Sequence, residues 1–345
     1  MRKFTLSAFA LSVIFACSGV KKTSEAISDN SDSVPEKYIR TITQDELRNH
    51  IFTIASDEMQ GRDTGSEGQK KAGRYLIEQY QKMGLSYPVQ AEGFYQKVPS
   101  SFMKTAWSPT LPDSENIWVF FEGGELKDEV IVISAHYDHV GMKNNEVYNG
   151  ADDNASGTSA LLEIADAFVQ AKLNGHTPKR SILFLHVTGE EYGLHGSRYY
   201  SENPILPLEK TITNINIDMI GRRGYNKEDN DNYVYVIGSD RLSTDLHIIS
   251  EAANKKYVGL ELDYKYNDLN DPNRFYYRSD HYNFAKKGIP AIFYFDGVHE
   301  DYHRATDTPD KIDFPLYEKR VRLAFAVAWE LANAEKRPVV DRDGK

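Results

Sequence analysis

The chain has 345 residues, of which 40% are hydrophobic, so it is long and apolar enough to bury a sizeable core. Its formal net charge is −10. This charge disfavours nucleic acids and anionic membrane surfaces as partners, because there is no basic surplus to neutralise phosphate groups.

The first residues have the layout of an export signal. Two basic residues precede the apolar stretch 4–16, which is too short to span a bilayer. Cys17 follows as the only cysteine of the chain, and residues 14–17 resemble a bacterial lipobox. We therefore predict a signal peptide over residues 1–16, export to the bacterial periplasm or cell envelope, and a lipid on Cys17 as the only membrane contact. The alternative is an ordinary signal peptide whose cysteine is incidental.

A polar segment separates this signal from the rest of the chain. Residues 18–36 are rich in serine and aspartate and have no hydrophobic periodicity. Such a composition is typical of a flexible tether, so we assign residues 17–36 to a tether. No internal repeat follows, and we predict a single globular domain over residues 37–340.

Helices and buried strands alternate along this domain. Short apolar runs predict strands at 129–135, 180–187, 211–217 and 289–295. Periodic or capped segments predict helices at 68–83, 156–172, 279–287 and 315–334. This alternation indicates an α/β protein, a three-layer α/β/α sandwich around a mixed, mostly parallel sheet.

Polar side chains with metal-binding chemistry lie at or after the ends of these strands. They are His136 and Asp138, Asp152 and Asp153, Glu190 and Glu191, Asp218, and His303. In open α/β sheets, ligands bind at the carboxyl ends of the strands. Chance convergence of five separate segments is improbable, so we expect these side chains to form one site.

The residue types narrow the chemistry of that site. Imidazole and carboxylate groups without thiolate suit zinc, with cobalt, manganese or iron as alternatives. Two imidazoles and three carboxylates are too many for one tetrahedral zinc with an open position. They suit two zinc ions bridged by one carboxylate, an arrangement that lowers the pKa of a water and polarises a carbonyl.

Five motifs carry a resemblance to a known family. They are HYDHVG (136–141), GADDNASG (150–157), GEEYGLHGS (189–197), NIDMIGR (216–222) and YHRATDTPDKID (302–313). In this order they are similar to those of the zinc aminopeptidases of family M28, and the resemblance covers most of residues 40–335. It implies a phosphorylase/hydrolase-like fold, two zinc ions and a peptide substrate cleaved at its N-terminal residue.

The resemblance also implies the metal ligands. His136 and Asp218 would hold one ion, and Glu191 and His303 would hold the other. Asp152, the first aspartate of its pair, would bridge both ions.

Further roles follow from the same resemblance. Glu190 would be the general base, and Asp138 would orient the imidazole of the first ligand. Asp153, Asp280 and His281 would lie around the ligands or contact substrate, with His281 as a candidate oxyanion stabiliser.

Some interpretations stay open at this point. His139 is either a substrate contact at the pocket mouth or an ordinary loop histidine. A glutaminyl cyclase, which resembles this family but uses one zinc to make pyroglutamate, is an alternative function. A non-catalytic binding module is another, although Glu190 and all the ligand positions are present. The sequence does not give the side-chain preference or the oligomeric state.

Overall fold

The computed structural model describes Met1, residues 33–105 and residues 110–344. The predicted signal peptide, Cys17 and most of the tether lie outside the described residues and stay predictions. The end of the tether differs from expectation, because a helix runs over Val34–Ile39. A proline in its first turn and the burial of Tyr38 and Ile39 explain why this polar segment ends in a helix.

An eight-stranded mixed sheet forms the middle layer of the described chain. The described residues form ten strands, eight in this sheet and two in a separate ribbon: β1 (Tyr95–Val98), β2 (Ser114–Phe121), β3 (Leu126–His136), β4 (Met142–Lys143), β5 (Glu146–Val147), β6 (Arg180–Val187), β7 (Thr211–Ile217), β8 (Tyr233–Ile237), β9 (Glu261–Asp263) and β10 (Ala291–Phe295). Their order is β1-β2-β6-β3-β7-β10-β8-β9, and β4 pairs with β5 in a separate ribbon. The neighbours β6-β3, β3-β7 and β7-β10 are parallel, as predicted for the centre of the sheet.

Helices cover both faces of this sheet. They are α1 (Val34–Ile39), α2 (Gln44–Ile54), α3 (Glu67–Lys82), α4 (Ser100–Met103), α5 (Gly157–Leu173), α6 (His195–Glu202), α7 (Thr244–Tyr257), α8 (His281–Ala285) and α9 (Phe314–Asn333). Helices α5 and α9 pack on one face, and α6 and α8 on the other. No helix in the described part of the chain is long and apolar enough to cross a bilayer.

The middle of strand β3, residues 130–133, shows why a central strand contains an unbroken apolar run. Ile131 and Ile133 belong to the core under α5 and α9, whereas Val130 and Val132 belong to the core on the opposite face. Alternate side chains of a strand point to opposite faces. A central strand with helices on both sides therefore needs apolar residues on both of its faces.

The predicted elements agree with the structure except at their margins. The strand predicted at 289–295 begins at Ala291, because Pro290 has no N–H to donate to the ladder. The helix predicted at 279–287 is shorter and spans His281–Ala285. Strands β8 and β9 and helix α7 were not predicted, although Ser243 caps α7 by accepting a hydrogen bond from the Leu246 N–H.

A buried arginine fixes the loop that follows β3. The Arg62 guanidinium donates hydrogen bonds to four carbonyl oxygens, those of Ile54, Tyr137, Asn149 and Gly150, at 2.7–3.1 Å. Its burial lowers the pKa of Arg62 to about 10. The residues on both sides of the loop 138–151 are thereby tied to one cation.

We expect Arg62→Met to destabilise the protein by about 3 kcal/mol or more, because buried carbonyl oxygens lose their donor. The measurement is the free energy of unfolding in urea. Arg74→Met is the matched control, since Arg74 is exposed and pairs with exposed Glu67; it should change stability little. Equal losses of unfolding free energy in both variants would contradict the stabilising role of the Arg62 hydrogen bonds.

Candidate active site

One group of possible ligands forms at the end of β3. His136 is the last residue of that strand, and its Nε2 lies 3.3 Å from an oxygen of Asp153 and 3.3 Å from an oxygen of Asp218. Asp218 directly follows β7, the parallel neighbour of β3. All three side chains are buried, and their facing atoms lie within 4.8 Å of one another.

A second group shares one of these carboxylates. His303 Nε2 lies 3.0 Å from Oδ2 of Asp153 and 2.9 Å from Oε2 of Glu191. Glu191 follows β6, and His303 lies in the loop after β10. The carboxyl ends of β3, β6, β7 and β10 thus lie at one edge of the sheet, and Asp153 reaches the same place from the turn before α5.

The shared carboxylate belongs to Asp153, which corrects the prediction for Asp152. Oδ1 of Asp153 faces His136, while Oδ2 faces His303. Asp152 points the other way: its Oδ1 accepts a hydrogen bond from the Gly221 N–H at 2.7 Å, and its Oδ2 lies 3.1 Å from His299 Nε2. Asp152 therefore fixes neighbouring loops, and Asp153 takes the position between the two imidazoles.

The backbone path explains which aspartate turns inward. Residues 151–156 form an irregular helical turn in which Asp153 and Asn154 have non-helical angles, and the peptide bond between them is cis. Asp307 accepts hydrogen bonds from the N–H groups of both Asp152 and Asp153 at 3.1 Å. This anchoring presents adjacent side chains in opposite directions.

The cluster attracts positive charge. Burial alone would lower the pKa of His303, but Asp153 and Glu191 raise it to about 10. Burial opposes the same effect at His136, yet Asp218 and Glu190 hold the pKa of His136 well above its usual range. Crowded buried carboxylates beside imidazoles are a donor set that fits divalent zinc.

Glu190 stands apart from both groups. Its Oε2 is 4.0 Å from His136 Nε2, its side chain is 12% exposed, and its carboxylate makes no hydrogen bond within the described residues. Burial, reinforced by Asp218 and Glu191, raises the pKa of Glu190 well above its usual range. A free carboxylate with a raised pKa is suited to accept and return a proton.

Asp138 supports the site in a different way from the one expected. His136 Nδ1 lies 3.1 Å from the backbone oxygen of Asp138 and 3.8 Å from its carboxylate. That carboxylate accepts hydrogen bonds from Thr64 Oγ1 at 2.9 Å and from the Glu190 N–H at 3.3 Å. The carbonyl therefore orients the imidazole, and the side chain anchors the loop that carries Glu190.

A chain of buried hydrogen bonds reaches Asp218. Ser279 Oγ donates to Oδ2 of Asp218 at 2.6 Å and accepts from Asn216, which in turn accepts from Ser134. Asp218 thus keeps Oδ1 for His136 while Oδ2 is occupied. The sequence analysis gave no role to Ser279, which directly precedes Asp280 and His281.

The structure places Asp280 and His281 behind the ligands. Ser197 donates to Asp280 at 2.5 Å, and burial raises the pKa of Asp280 to about 7. His281 is stacked on Phe293, and burial lowers its pKa to about 3, so the ring is neutral. Neither side chain forms a hydrogen bond or an ion pair with a possible metal ligand among the described residues, and the suggested oxyanion role of His281 has no support in this geometry.

His139 is neither at the pocket mouth nor an exposed loop residue. Its side chain is fully buried, and its Nδ1 lies 2.6 Å from Oε1 of Glu191. His139 directly follows Asp138, the expected ligand-orienting carboxylate, in HYDHVG, and this position was the signal in the sequence.

A small cavity of about 30 Å³ opens beside Glu190, Asp153 and Asp218. Its other walls are largely apolar and comprise Met219, Phe275, Phe293, Phe295, Val298 and Tyr302, with Arg278 at the side. The Arg278 guanidinium lies over the Phe275 ring, and Tyr302 is stacked on His303. The cavity therefore joins an apolar wall to the cluster of carboxylates.

Several curated proteins are similar to this chain in sequence. A probable zinc metalloprotease of Pyrenophora tritici-repentis is 27% identical over 267 residues, 65% of this chain and 52% of the relative. A probable leucine aminopeptidase of Arthroderma otae is 29% identical over 215 residues, 60% of this chain and 55% of the relative. The chain thus spans about half the length of the curated relatives it matches.

Solved structures share the fold. The LapA aminopeptidase of Legionella pneumophila has a TM-score of 0.67 at 23% identity, covering 88% of this chain and 75% of that chain. The glutaminyl cyclase of Bacteroides thetaiotaomicron has a TM-score of 0.64 at 21% identity, covering 86% and 99%.

The sequence profile of peptidase family M28 matches residues 116–328. This match covers more than half of the chain and includes all five motifs that carry the possible ligands. With the zinc metalloprotease and aminopeptidase relatives, it settles the classification. The chain belongs to peptidase family M28.

Proposed function

We propose that this protein is a zinc-dependent aminopeptidase that hydrolyses the N-terminal peptide bond of peptides with two metal ions. The observation that carries the proposal is the placement of Asp153 between two imidazole–carboxylate groups, with the carboxylate of Glu190 beside them, 4.0 Å from His136. Membership of family M28 and the aminopeptidase relative support the same activity.

Each ion would have its own ligands and share one. His136, Asp218 and Oδ1 of Asp153 would hold the first ion, and His303, Glu191 and Oδ2 of Asp153 the second. Three ligand carboxylates against two divalent cations leave one positive charge, which Glu190 offsets. Charge balance of this kind makes burial of so many carboxylates tolerable.

When bound, the zinc ions lower the pKa of a water and polarise the peptide carbonyl. Glu190 then has the position and the basicity of the general base. Its carboxylate accepts the proton of the attacking water and returns it to the leaving amine, which departs neutral. Asp138 keeps the backbone of Glu190 in place through the hydrogen bond to the Glu190 N–H.

The apolar cavity would receive the side chain of the N-terminal residue. Phe275, Phe293 and Phe295 offer ring surface, so an apolar side chain gains about 0.8 kcal/mol per buried CH₂ group. We infer a preference for leucine or phenylalanine over lysine, whose ammonium would meet Arg278 and lose hydration.

The alternative function is glutaminyl cyclisation, which the shared fold of the Bacteroides thetaiotaomicron enzyme keeps open. Two assays on the wild-type protein separate the functions. One follows release of nitroaniline from leucyl-, phenylalanyl- and lysyl-nitroanilides after zinc addition. The other follows loss of ammonia from a peptide with N-terminal glutamine. Cyclisation without nitroaniline release would overturn the aminopeptidase proposal.

Glu190→Gln should lower kcat on leucyl-nitroanilide by at least about 10²–10⁴-fold, because the amide cannot accept the proton. Its zinc content should equal that of the wild type, since Glu190 is not among the proposed ligands. Glu202→Gln, on α6 outside the site, is the matched control and should keep full activity. Full activity of Glu190→Gln would refute the assignment of the base.

The two adjacent aspartates can be told apart by their effect on metal content. Asp153→Asn should lose zinc during dialysis, because both ligand groups lose the shared carboxylate. Asp152→Asn should keep its zinc and lose only thermal stability, because Asp152 contacts Gly221 and His299 instead. Elemental analysis after dialysis gives the answer, and the reverse pattern would restore Asp152 as the bridging ligand.

A further inference from the structure

His139 is held rigidly beside the proposed second metal. The backbone N–H of His139 donates a hydrogen bond to the Arg62 carbonyl oxygen at 3.1 Å, so Arg62 also fixes the His139 backbone. Its ring lies against Gly150, where a Cβ atom would approach His139 Cγ to 2.5 Å. Glycine at this position, with φ +55°, makes room for the imidazole.

The ring points one nitrogen at the ligands. Nδ1 lies 2.6 Å from Oε1 of Glu191 and 3.7 Å from Oδ2 of Asp153. Nε2 is buried and has no hydrogen-bond partner within the described residues. The carboxylate of Glu191 is therefore the polar contact that accounts for this buried histidine.

The His139–Glu191 distance favours a hydrogen bond over joint ligation of one ion. Two donors bound to one tetrahedral zinc at about 2.0–2.1 Å lie roughly 3.3 Å apart. The pairs that join His136 and His303 to the carboxylates are 2.9–3.3 Å long. The 2.6 Å contact of His139 is shorter and matches an N–H donating to a carboxylate.

We propose that His139 is a positioning residue whose Nδ1–H holds Oε1 of Glu191, so that Oε2 faces the second metal ion. This inference rests on the proposed two-metal function and adds a determinant of the affinity for one ion. His303 is the other proposed ligand that serves the second ion alone, and its side chain is 38% exposed. Glu191 is therefore the buried ligand of the second ion, and we expect its orientation to determine much of the affinity for that ion.

A hydrogen bond of the same kind orients Asp218, a proposed ligand of the first ion. Ser279 Oγ occupies Oδ2 of Asp218 and leaves Oδ1 for His136. Asp218 and Glu191, the carboxylates that serve one ion each, thus give one oxygen to their imidazole partner and the other to a buried donor. Because the donors differ, a change at His139 weakens the second ion alone.

The test compares His139→Leu with His139→Asn by titration of the metal-free full chain with zinc in the presence of a competing chelator. The two side chains have similar shapes, but only Asn offers an N–H at the number of bonds from Cα that Nδ1 has. We expect His139→Leu to bind the second ion about 10–100-fold more weakly. His139→Asn should bind it within about threefold of the wild type.

Absorption of the cobalt-loaded protein gives a second readout. A positioning role leaves the cobalt bands of the Asn variant as in the wild type, whereas loss of a ligand nitrogen would shift them. His195→Leu is the control, since His195 is also buried and follows Glu191 in the chain but donates to no ligand oxygen. Both of its zinc affinities should match the wild type.

Two failures are distinguishable. Equal second-ion affinities in the Leu and Asn variants, with a wild type that binds two ions and hydrolyses leucyl-nitroanilide, would overturn the role of His139 alone. A wild type that binds a single ion, or that releases no nitroaniline, would overturn the proposed function itself.

Discussion

The carboxylate of Asp153 between the imidazoles of His136 and His303 is the contact on which the rest of the site depends. It lies at 3.3 Å from one ring and 3.0 Å from the other. Burial raises the pKa of Asp153, but hydrogen bonds from the two rings overcome this and hold it well below its usual range. The group is therefore ionised in the interior, where an isolated charge would be prohibitive. The two imidazoles supply the positive charge that stabilises it, and Asp307 fixes its backbone through the Asp153 N–H.

The fold meets this constraint with backbone donors and buried side chains. Asp307 binds the N–H groups on either side of the inward turn, and Arg62 gathers the carbonyl oxygens of the loops before it. Parallel strands bring His136, Asp218 and Glu191 to one edge of the sheet without a long excursion of the chain. Precision at the site thus comes from short loops tied to a rigid sheet.

Much of this arrangement can be predicted from the sequence. Apolar runs predicted the central strands because both faces of the sheet are covered, and the polar residues after those runs identified the edge. The choice between Asp152 and Asp153 was not predictable from pattern, since Asp153 and Asn154 leave helical geometry within one turn. The role of His139 also depends on tertiary structure, because only the packing against Gly150 brings its ring to Glu191. Strand β8 was missed although its five residues are all buried, because apolar runs of this length do not by themselves distinguish strand from helix.

The central claim is that Asp153 bridges two ions, and anomalous diffraction at the zinc absorption edge tests it most directly. Crystals of the zinc-loaded protein should show two anomalous peaks about 3.5–4 Å apart, one on each side of the Asp153 carboxylate. A single peak, or a pair of peaks flanking Asp152, would contradict the account.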